Sequence, residues 1–200
     1  MKAKNIDLLV KNRLKVNKIR TRTHKFNLGK SIDQRPKEVE EREEFGYWEI
    51  ETVIGKRASE PVIMTLIERK TRYDFLFLLG NKTSGAISRC IDSLKEQHKN
   101  LFFKIFKTIT ADNGSEFSEL SDKLAEHGDE AYFAHPYSSW KRGTNEIIKL
   151  VIPKGQTLKN LSAATIARIQ NWMNNLPRKI LGYMTPEKCF KRELATLHTV

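Results

Sequence analysis

The order of strand-like and helix-like segments limits this chain to few folds. Three strand patterns with short connections come first, so we expect an antiparallel meander. A helix, a strand, a second helix and a last strand follow, which favours a mixed sheet with helices packed against it. The predicted strands are Tyr47–Ile54, Pro61–Leu66, Tyr73–Leu79, Leu101–Asp112 and Ala131–Phe133. The expected fold class is therefore α/β with a mixed five-stranded sheet.

Apolar residues at helical spacing predict the helices between and after these strands. The first helix, Ser84–Glu96, has Thr83 or Ser84 as its cap. Further helices are expected over Ser118–His127, from Glu146 to about Val151, over Ser162–Asn174 and from Thr185–Pro186 onward. In the helix that Ser162 caps, we expect Trp172 and Met173 to point inward.

The first predicted strand, Tyr47–Ile54, alternates large and polar side chains. Because successive side chains of a strand point to opposite faces, Trp48 and Ile50 share one face. Glu49 and Glu51 share the other face. The strand therefore presents carboxylates on the side away from its tryptophan.

Composition suits one globular domain and a polyanionic partner. The 200 residues are 39% hydrophobic, and the formal net charge of +12 favours nucleic acid, although a Lys-rich chain can also simply be soluble. Cys90 and Cys189 lack the spacing of a zinc site or a disulfide framework. No signal peptide or membrane span is evident, so we expect a cytoplasmic protein without a membrane partner.

The chain divides into a basic segment and a core. Residues 1–40 are expected to form a basic N-terminal arm and an acidic linker, and residues 41–195 the core with its C-terminal helices. The arm could lie along DNA phosphates, or it could be a disordered tail. The sequence does not decide between these two interpretations.

A carboxylate marks the end of the fourth predicted strand. Asp112 is followed by Asn113 and Gly114, a pair that accepts the positive φ of a sharp turn. Oxygen ligands held by a rigid strand suit Mg²⁺ or Mn²⁺. An ordinary turn with no metal is the alternative.

Two further acids complete a possible metal site. Glu51 lies on the first strand and Glu146 on the helix after the fifth strand. If the first and fourth strands are neighbours, Glu51 and Asp112 meet, and Glu146 could reach the same point. Phosphodiester chemistry uses such carboxylate sites because two cations activate the attacking oxygen and stabilise the leaving one. Three solvated acids in a highly charged protein are the alternative.

Several runs together resemble the transposases of the insertion-sequence family numbered thirty. They are Gly46–Lys56, Thr65–Arg72, Thr108–Phe117, Tyr132–Trp140, Arg142–Glu146, Asn175–Lys179 and Leu181–Pro186. The resemblance covers about Ser31 to Phe190. It implies a ribonuclease-H-like, retroviral-integrase-like core that binds Mg²⁺ (or Mn²⁺), two ions in all, through Glu51, Asp112 and Glu146.

The chain departs from the family pattern in three ways. Glu51 stands where the family has Asp, and a misplacement on the scale of about 1 Å can cost on the order of 100-fold in rate. A segment that family members carry after Glu146 is shortened. Residues 1–31 are also too short for the helix-turn-helix region of the family, so we expect a catalytic portion that lacks it.

Candidate DNA contacts surround the predicted site. They are Lys141, Arg142, Arg69, Lys70 and Arg72 for phosphates, and Trp140 for stacking on a base. The alternatives are solvated charged faces and a core tryptophan. Asp74 is expected to be a solvent-facing strand acid, and His135 either packs beside its neighbours or assists at the site.

Two functions remain open. The first is a DNA transposase core that cleaves phosphodiester bonds and transfers strands, acting on transposon ends and target DNA as a homo-oligomer. The second is a catalytically impaired remnant that only binds DNA. The resemblance implies the first, while the departures at Glu51 and after Glu146 motivate the second.

Overall fold

A computed structural model describes residues 28–56, 60–125, 130–135, 146–152 and 156–197. Six strands form one mixed sheet: β1 (Lys30–Ser31), β2 (Tyr47–Ile54), β3 (Val62–Glu68), β4 (Asp74–Leu79), β5 (Thr108–Ala111) and β6 (Glu130–Phe133). Their spatial order is β1-β6-β5-β2-β3-β4. The meander β2-β3-β4 is antiparallel, and β5 joins β2 in parallel. The predicted α/β class is confirmed, and the short β1 adds a sixth strand.

The helices flank this sheet. They are α1 (Glu38–Glu41), α2 (Ser84–His98), α3 (Phe102–Ile105), α4 (Leu120–Ala125), α5 (Glu146–Val151), α6 (Ala163–Asn175) and α7 (Pro186–Leu197). The predicted caps are present where the structure describes them. The Thr83 hydroxyl accepts a hydrogen bond from the Ala86 amide at 3.3 Å, and the Ser162 hydroxyl accepts one from the Thr165 amide at 3.1 Å.

The fourth strand is shorter than predicted. Lys99–Leu101 form a 3-10 helix and Phe102–Ile105 form α3, so the strand covers only Thr108–Ala111. The rings of Phe102 and Phe106 stack with centroids 4.7 Å apart. Residues four apart share a helix face, so this apolar run has helical as well as strand-like spacing.

One face of the sheet carries the larger core. Trp48 and Ile50 are fully buried there, and Trp48 stacks on Phe106 with centroids 4.7 Å apart. The Trp48 indole also donates a hydrogen bond to the Ile105 carbonyl at 2.7 Å. Helices α2, α4 and α7 cover this face through residues such as Ile91, which packs in the same cluster.

The opposite face carries a smaller apolar cluster built around α5 and α6. Ile63 of β3 packs there with Ile148 and Ile166. Met173 is buried as expected, but the inward placement of Trp172 is wrong, because this residue is 49% exposed. At helical spacing, adjacent positions lie about 100° apart, so both cannot face the sheet equally.

The described part of the predicted arm contacts the core. Strand β1 pairs in parallel with β6, and the side chains of Ile32 and Val39 are buried. The division at residue 40 stays a prediction. Among the described helices, none has the length and apolar character needed to cross a membrane.

Candidate active site

The strand register brings two of the predicted acids side by side. Strands β2 and β5 are parallel, with Trp48 opposite Ile109 and Glu49 opposite Thr110. Continuing this register by two residues places Glu51 beside Asp112. Paired residues of neighbouring strands point to the same face, and here that face is the one opposite Trp48. Both acids are partly exposed.

The loop after Asp112 is fixed by hydrogen bonds. The Asp112 Oδ1 atom accepts a hydrogen bond from the Gly114 amide at 3.0 Å. Asn113 accepts one from the Leu28 amide at 3.2 Å and donates one to the Ala134 carbonyl at 3.3 Å. Asn113 therefore ties the carboxyl end of β5 to the residues that precede β1 and follow β6.

The expected positive φ in this turn is wrong. Gly114 has φ −73°, and Asn113 is absent from the described residues with positive φ. A Cβ atom on Gly114 would lie 2.4 Å from Oε2 of Glu116. A side chain at this position would force the Glu116 carboxylate to move, because that group passes close to the Gly114 Cα atom.

Glu116 lies next to this site, and the sequence analysis gave it no role. It is 3% exposed, accepts a hydrogen bond from the Thr52 hydroxyl at 3.0 Å and pairs with the Lys82 ammonium at 2.9 Å. Its partner Thr52 points to the Trp48 face of the sheet, opposite Glu51. Thr52 directly follows Glu51. Glu116 therefore connects the loop after Asp112 to the strand that carries Glu51. A sequence signal existed only in the run of polar residues from Asp112 to Glu116.

Glu146 is the first residue of α5. Ile148 of this helix and Ile152, the residue after it, pack with Ile63, whose strand neighbour is Val53. The helix thus lies on the face that carries Glu51 and Asp112. The side chain of Glu146 lies outside the described part of the structure, so its part as a third ligand stays a prediction.

The donor set fits a divalent cation as far as the structure describes it. Glu51 and Asp112 supply carboxylate oxygens from adjacent strands, and oxygen ligands suit Mg²⁺. Among residues with described side chains, no cluster of three or more His, Cys, Asp or Glu forms a metal site. Two carboxylates on one face are therefore the basis for a metal proposal.

Three of the predicted phosphate contacts are described, and they differ. Arg69 is 3% exposed, pairs with Glu49 and donates a hydrogen bond to the Val39 carbonyl at 2.9 Å. Its direct contact with a DNA strand at the surface would require this pair to open. Lys70 pairs with Glu193 at 2.8 Å. Burial lowers the pKa of the partly exposed Arg72 to about 10.

The remaining predicted DNA contacts, Trp140, Lys141 and Arg142, lie outside the described residues. His135 is described, and its Nε2 atom lies 2.5 Å from Oδ2 of Asp33. This contact joins β6 to the segment after β1 and supports neither a packing nor a catalytic role by itself.

The predicted solvent exposure of Asp74 is wrong. It was expected to face solvent, but it is 3% exposed. Its backbone amide donates a hydrogen bond to the side chain of Asn174 at 2.9 Å. Burial raises the pKa of its carboxyl to about 7, against the opposing effect of Arg178 and Arg72. Aromatic neighbours in the sequence were compatible with either environment.

Comparison with known proteins identifies relatives along nearly the whole chain, although no protein-family model matches it. The chain is 39% identical over 96% of its length to a probable transposase for the insertion-like element IS1161 of Streptococcus salivarius. It is 38% identical over 80% of its length to the IS4351 transposase of Bacteroides fragilis, and 30% identical over 84% to the IS30C transposase InsI of Escherichia coli.

The chain spans about half the length of these curated relatives, namely 55%, 49% and 43% of them. Among solved structures, the catalytic core domain of BIV integrase matches with a TM-score of 0.55 at 14% identity. That match covers 78% of this chain and 99% of the integrase chain. The chain is thus homologous to transposases of insertion sequences, IS30 elements among them, and has the fold of a retroviral integrase catalytic core.

Proposed function

We propose that this chain is the catalytic portion of a DNA transposase, which cleaves phosphodiester bonds at transposon ends and transfers the strands to target DNA. The observation that carries the proposal is the register of β2 and β5, which pairs Glu49 with Thr110. Continued by two residues, this register would bring Glu51 beside Asp112 on one face of the sheet. The named relatives are transposases, and this supports the same chemistry here.

Glu51, Asp112 and Glu146 would hold the metal, Mg²⁺ or Mn²⁺, and we propose two ions. Bound cations of this kind activate an attacking oxygen and stabilise a leaving oxygen. The other residues of the protein hold these acids in position. The loop held by Asn113 fixes the backbone that carries Asp112, and Glu116 holds Thr52 beside Glu51.

The DNA would lie across the face that carries the acids. Lys141 and Arg142 precede Glu146 in the chain, so we propose them as phosphate contacts, with Trp140 stacking on a base. Lys70 and Arg72 are partly exposed and are kept as weaker candidates, whereas the pairing of Arg69 with Glu49 gives it another role. A homo-oligomer on DNA and a cytoplasmic location stay predictions.

The test is Mn²⁺-dependent nicking and strand transfer on a DNA duplex by the purified chain. We expect activity in the wild type and a loss of at least about 100-fold in Asp112→Asn, because the substitution removes a charged ligand. Asp122→Asn is the matched control, since Asp122 is an exposed acid on α4. Equal activity in Asp112→Asn and wild type would contradict the proposal.

Glu51→Asp shortens the side chain by one methylene and so measures how the length of Glu51 affects the reaction rate. If the site is built for the shorter acid, this variant should be faster than wild type, by up to about 100-fold for a displacement of about 1 Å. Glu51→Gln should be inactive. Absence of nicking in both wild type and Glu51→Asp would favour the catalytically impaired remnant.

A further inference from the structure

A cleft of about 550 Å³ lies between the segment after β1 and the end of β3. We call it the arginine cleft. It is lined by the cations Arg35, Lys37, Arg42 and Arg69 and by the acids Asp33 and Glu40. The four cations exceed the two acids, and when Glu49, the partner of Arg69, is counted as well, the net charge is +1. This charge suits an anionic ligand.

The floor of the arginine cleft is made by two buried guanidinium groups. Arg69 is held by Glu49 and by the Val39 carbonyl. Arg35 donates a hydrogen bond from Nη1 to the Thr110 hydroxyl at 3.2 Å. The rim residues Asp33, Lys37 and Glu40 are exposed. A ligand entering from solvent would therefore meet fixed positive charge at the bottom of the cleft.

Arg35 has hydrogen-bonding capacity that its described neighbours do not use. Its side chain is 4% exposed, and within the described residues its buried Nε atom has no hydrogen-bond partner. Its Nη2 atom lies 3.5 Å from Oε1 of Glu40, whose side chain is 73% exposed. Strong charge-assisted bonds measure about 2.7–2.9 Å, so this contact is a weak one. A buried, unpaired donor costs free energy that an acceptor entering the cleft would recover.

The guanidinium groups also oppose one another. Burial lowers the pKa of Arg69, Glu49 raises it, and the charges of Arg35 and Arg42 lower it further. Glu49 is the counter-ion of Arg69, whereas the contact of Arg35 with Glu40 is long, so a further anion beside Arg35 would be favourable. A phosphate, with its several acceptor oxygens, is the common anion that pairs with several arginines at once.

The arginine cleft begins two residues along β2 and β5 from the candidate active site. Glu49 and Thr110, which bind Arg69 and Arg35, are paired across β2 and β5. Glu51 and Asp112 are two residues further along the same strands and on the same face. Two residues of a strand span roughly 7 Å. One DNA strand carries a charge about every 3.4 Å of helix axis, so the separation would correspond to about two nucleotides for a duplex whose axis runs along β2.

We propose that the arginine cleft binds a phosphate group and, resting on the proposed function, that this phosphate belongs to the backbone of the DNA strand that crosses Glu51 and Asp112. Arg35 is the central ligand, with Arg42 and Lys37 closing the cleft from the rim. Glu40 leaves Arg35 when the phosphate enters. The cleft thereby fixes the register of the DNA relative to the acids.

The test uses two probes without divalent metal: inorganic phosphate in calorimetry, and a labelled DNA duplex in fluorescence anisotropy over a range of salt concentrations. The variant is Lys37→Gln with Arg42→Asn, chosen because Lys37 is exposed and Arg42 has φ 61°, which asparagine tolerates. Lys188→Gln is the control, an exposed lysine on α7, which covers the other face of the sheet. Arg35→Gln is the direct variant, provided that its melting curve shows it is folded.

We expect the double variant to lose phosphate binding and to reduce the slope of log affinity against log salt concentration by about 1–2, with Lys188→Gln unchanged. Loss of inorganic phosphate binding with a wild-type salt slope would overturn the DNA assignment and leave a site for free phosphate. Wild-type behaviour with both probes would overturn the proposal entirely. Asp112→Asn should lose nicking yet keep the wild-type salt slope, so a failure of the catalytic proposal is distinguishable.

Discussion

At Gly114 the chain passes within contact distance of a buried carboxylate. The sequence Asp-Asn-Gly predicts a turn with positive φ, but Gly114 has a negative φ. What restricts this position is the space that Glu116 takes up. Glu116 folds back beneath the loop because Thr52 and Lys82 bind it there. The space available at Gly114 is therefore limited by Glu116, and this proximity arises only when the loop folds.

Gly114→Ala should destabilise the protein by about 1–3 kcal/mol, because the new Cβ atom would push the buried Glu116 carboxylate away from Thr52 and Lys82. Urea unfolding monitored by tryptophan fluorescence measures the change. Gly85→Ala is the control, since a Cβ there would meet only Arg89 Nη1 at 3.7 Å and alanine suits a helix better, by up to about 1 kcal/mol. Equal effects of the two substitutions would contradict the steric explanation.

Asp74 links stability to pH. Its carboxyl has a pKa of about 7 in the folded state, raised mainly by burial from the value of 3.8. A raised folded pKa means that the favourable contribution of the protonated group is complete below about pH 4 and is lost as pH rises through about 7.

Asp74→Asn should remove this pH dependence. We compare the free energy of unfolding of the variant with that of wild type. This difference should favour the variant by up to about 4 kcal/mol more at pH 8 than at pH 4, because each pKa unit is worth about 1.36 kcal/mol. Urea unfolding at both pH values measures it, with Asp122→Asn as an exposed control. The same pH dependence in wild type and Asp74→Asn would show that Asp74 is not the titrating group.

At the scale of elements, α7 packs against the residues at the start of β2 and β4. The ring of Phe190 lies 4.1 Å from that of Tyr73, 5.6 Å from Phe45 and 6.0 Å from Trp48, measured between centroids. Phe190 is only 5% exposed. The last helix is therefore a part of the main hydrophobic core.

Phe190→Ala should lower the free energy of unfolding by about 3–5 kcal/mol, because it leaves a cavity among aromatic rings. Ile180→Ala is the control, since Ile180 is 67% exposed and its truncation should change stability by less than about 0.5 kcal/mol. Thermal and urea unfolding provide the measurement. A loss of under about 1 kcal/mol in Phe190→Ala would mean that α7 contributes little to the core.

At the scale of the whole molecule, the fold brings acids together in a chain of net charge +12. The register of β2 and β5, continued by two residues, leads Glu51 and Asp112 to the same face, where carboxylate oxygens suit a divalent cation. Metal binding to the folded chain alone must raise its stability by linkage. This gives a test of the metal site that does not depend on activity.

Mg²⁺ at ten times its dissociation constant should stabilise the wild type by about 1.4 kcal/mol, seen as a rise in Tm. Asp112→Ala should abolish the rise, whereas Asp122→Ala should keep it, because Asp122 is an exposed acid of α4, away from Glu51. A rise of equal size in Asp112→Ala would place the bound metal elsewhere.

The sequence by itself determined the elements with strong local signals. The alternation in Tyr47–Ile54 fixed a strand and its two faces, and the polar caps Thr83 and Ser162 fixed the starts of α2 and α6, because these patterns depend on neighbours in the chain. The motifs around Asp112 predicted the family, which the curated relatives confirm.

Only the tertiary structure decided the environments of single side chains. The burial of Asp74 beside Asn174, the pairing of Arg69 with Glu49 and the hydrogen bond from Thr52 to Glu116 all join residues from different segments. The parallel pairing of β2 with β5 likewise set the register that leads Glu51 towards Asp112. Local propensity selects helix or strand, but burial and charge pairing depend on which distant segments pack together, and that is settled only when the whole sheet assembles.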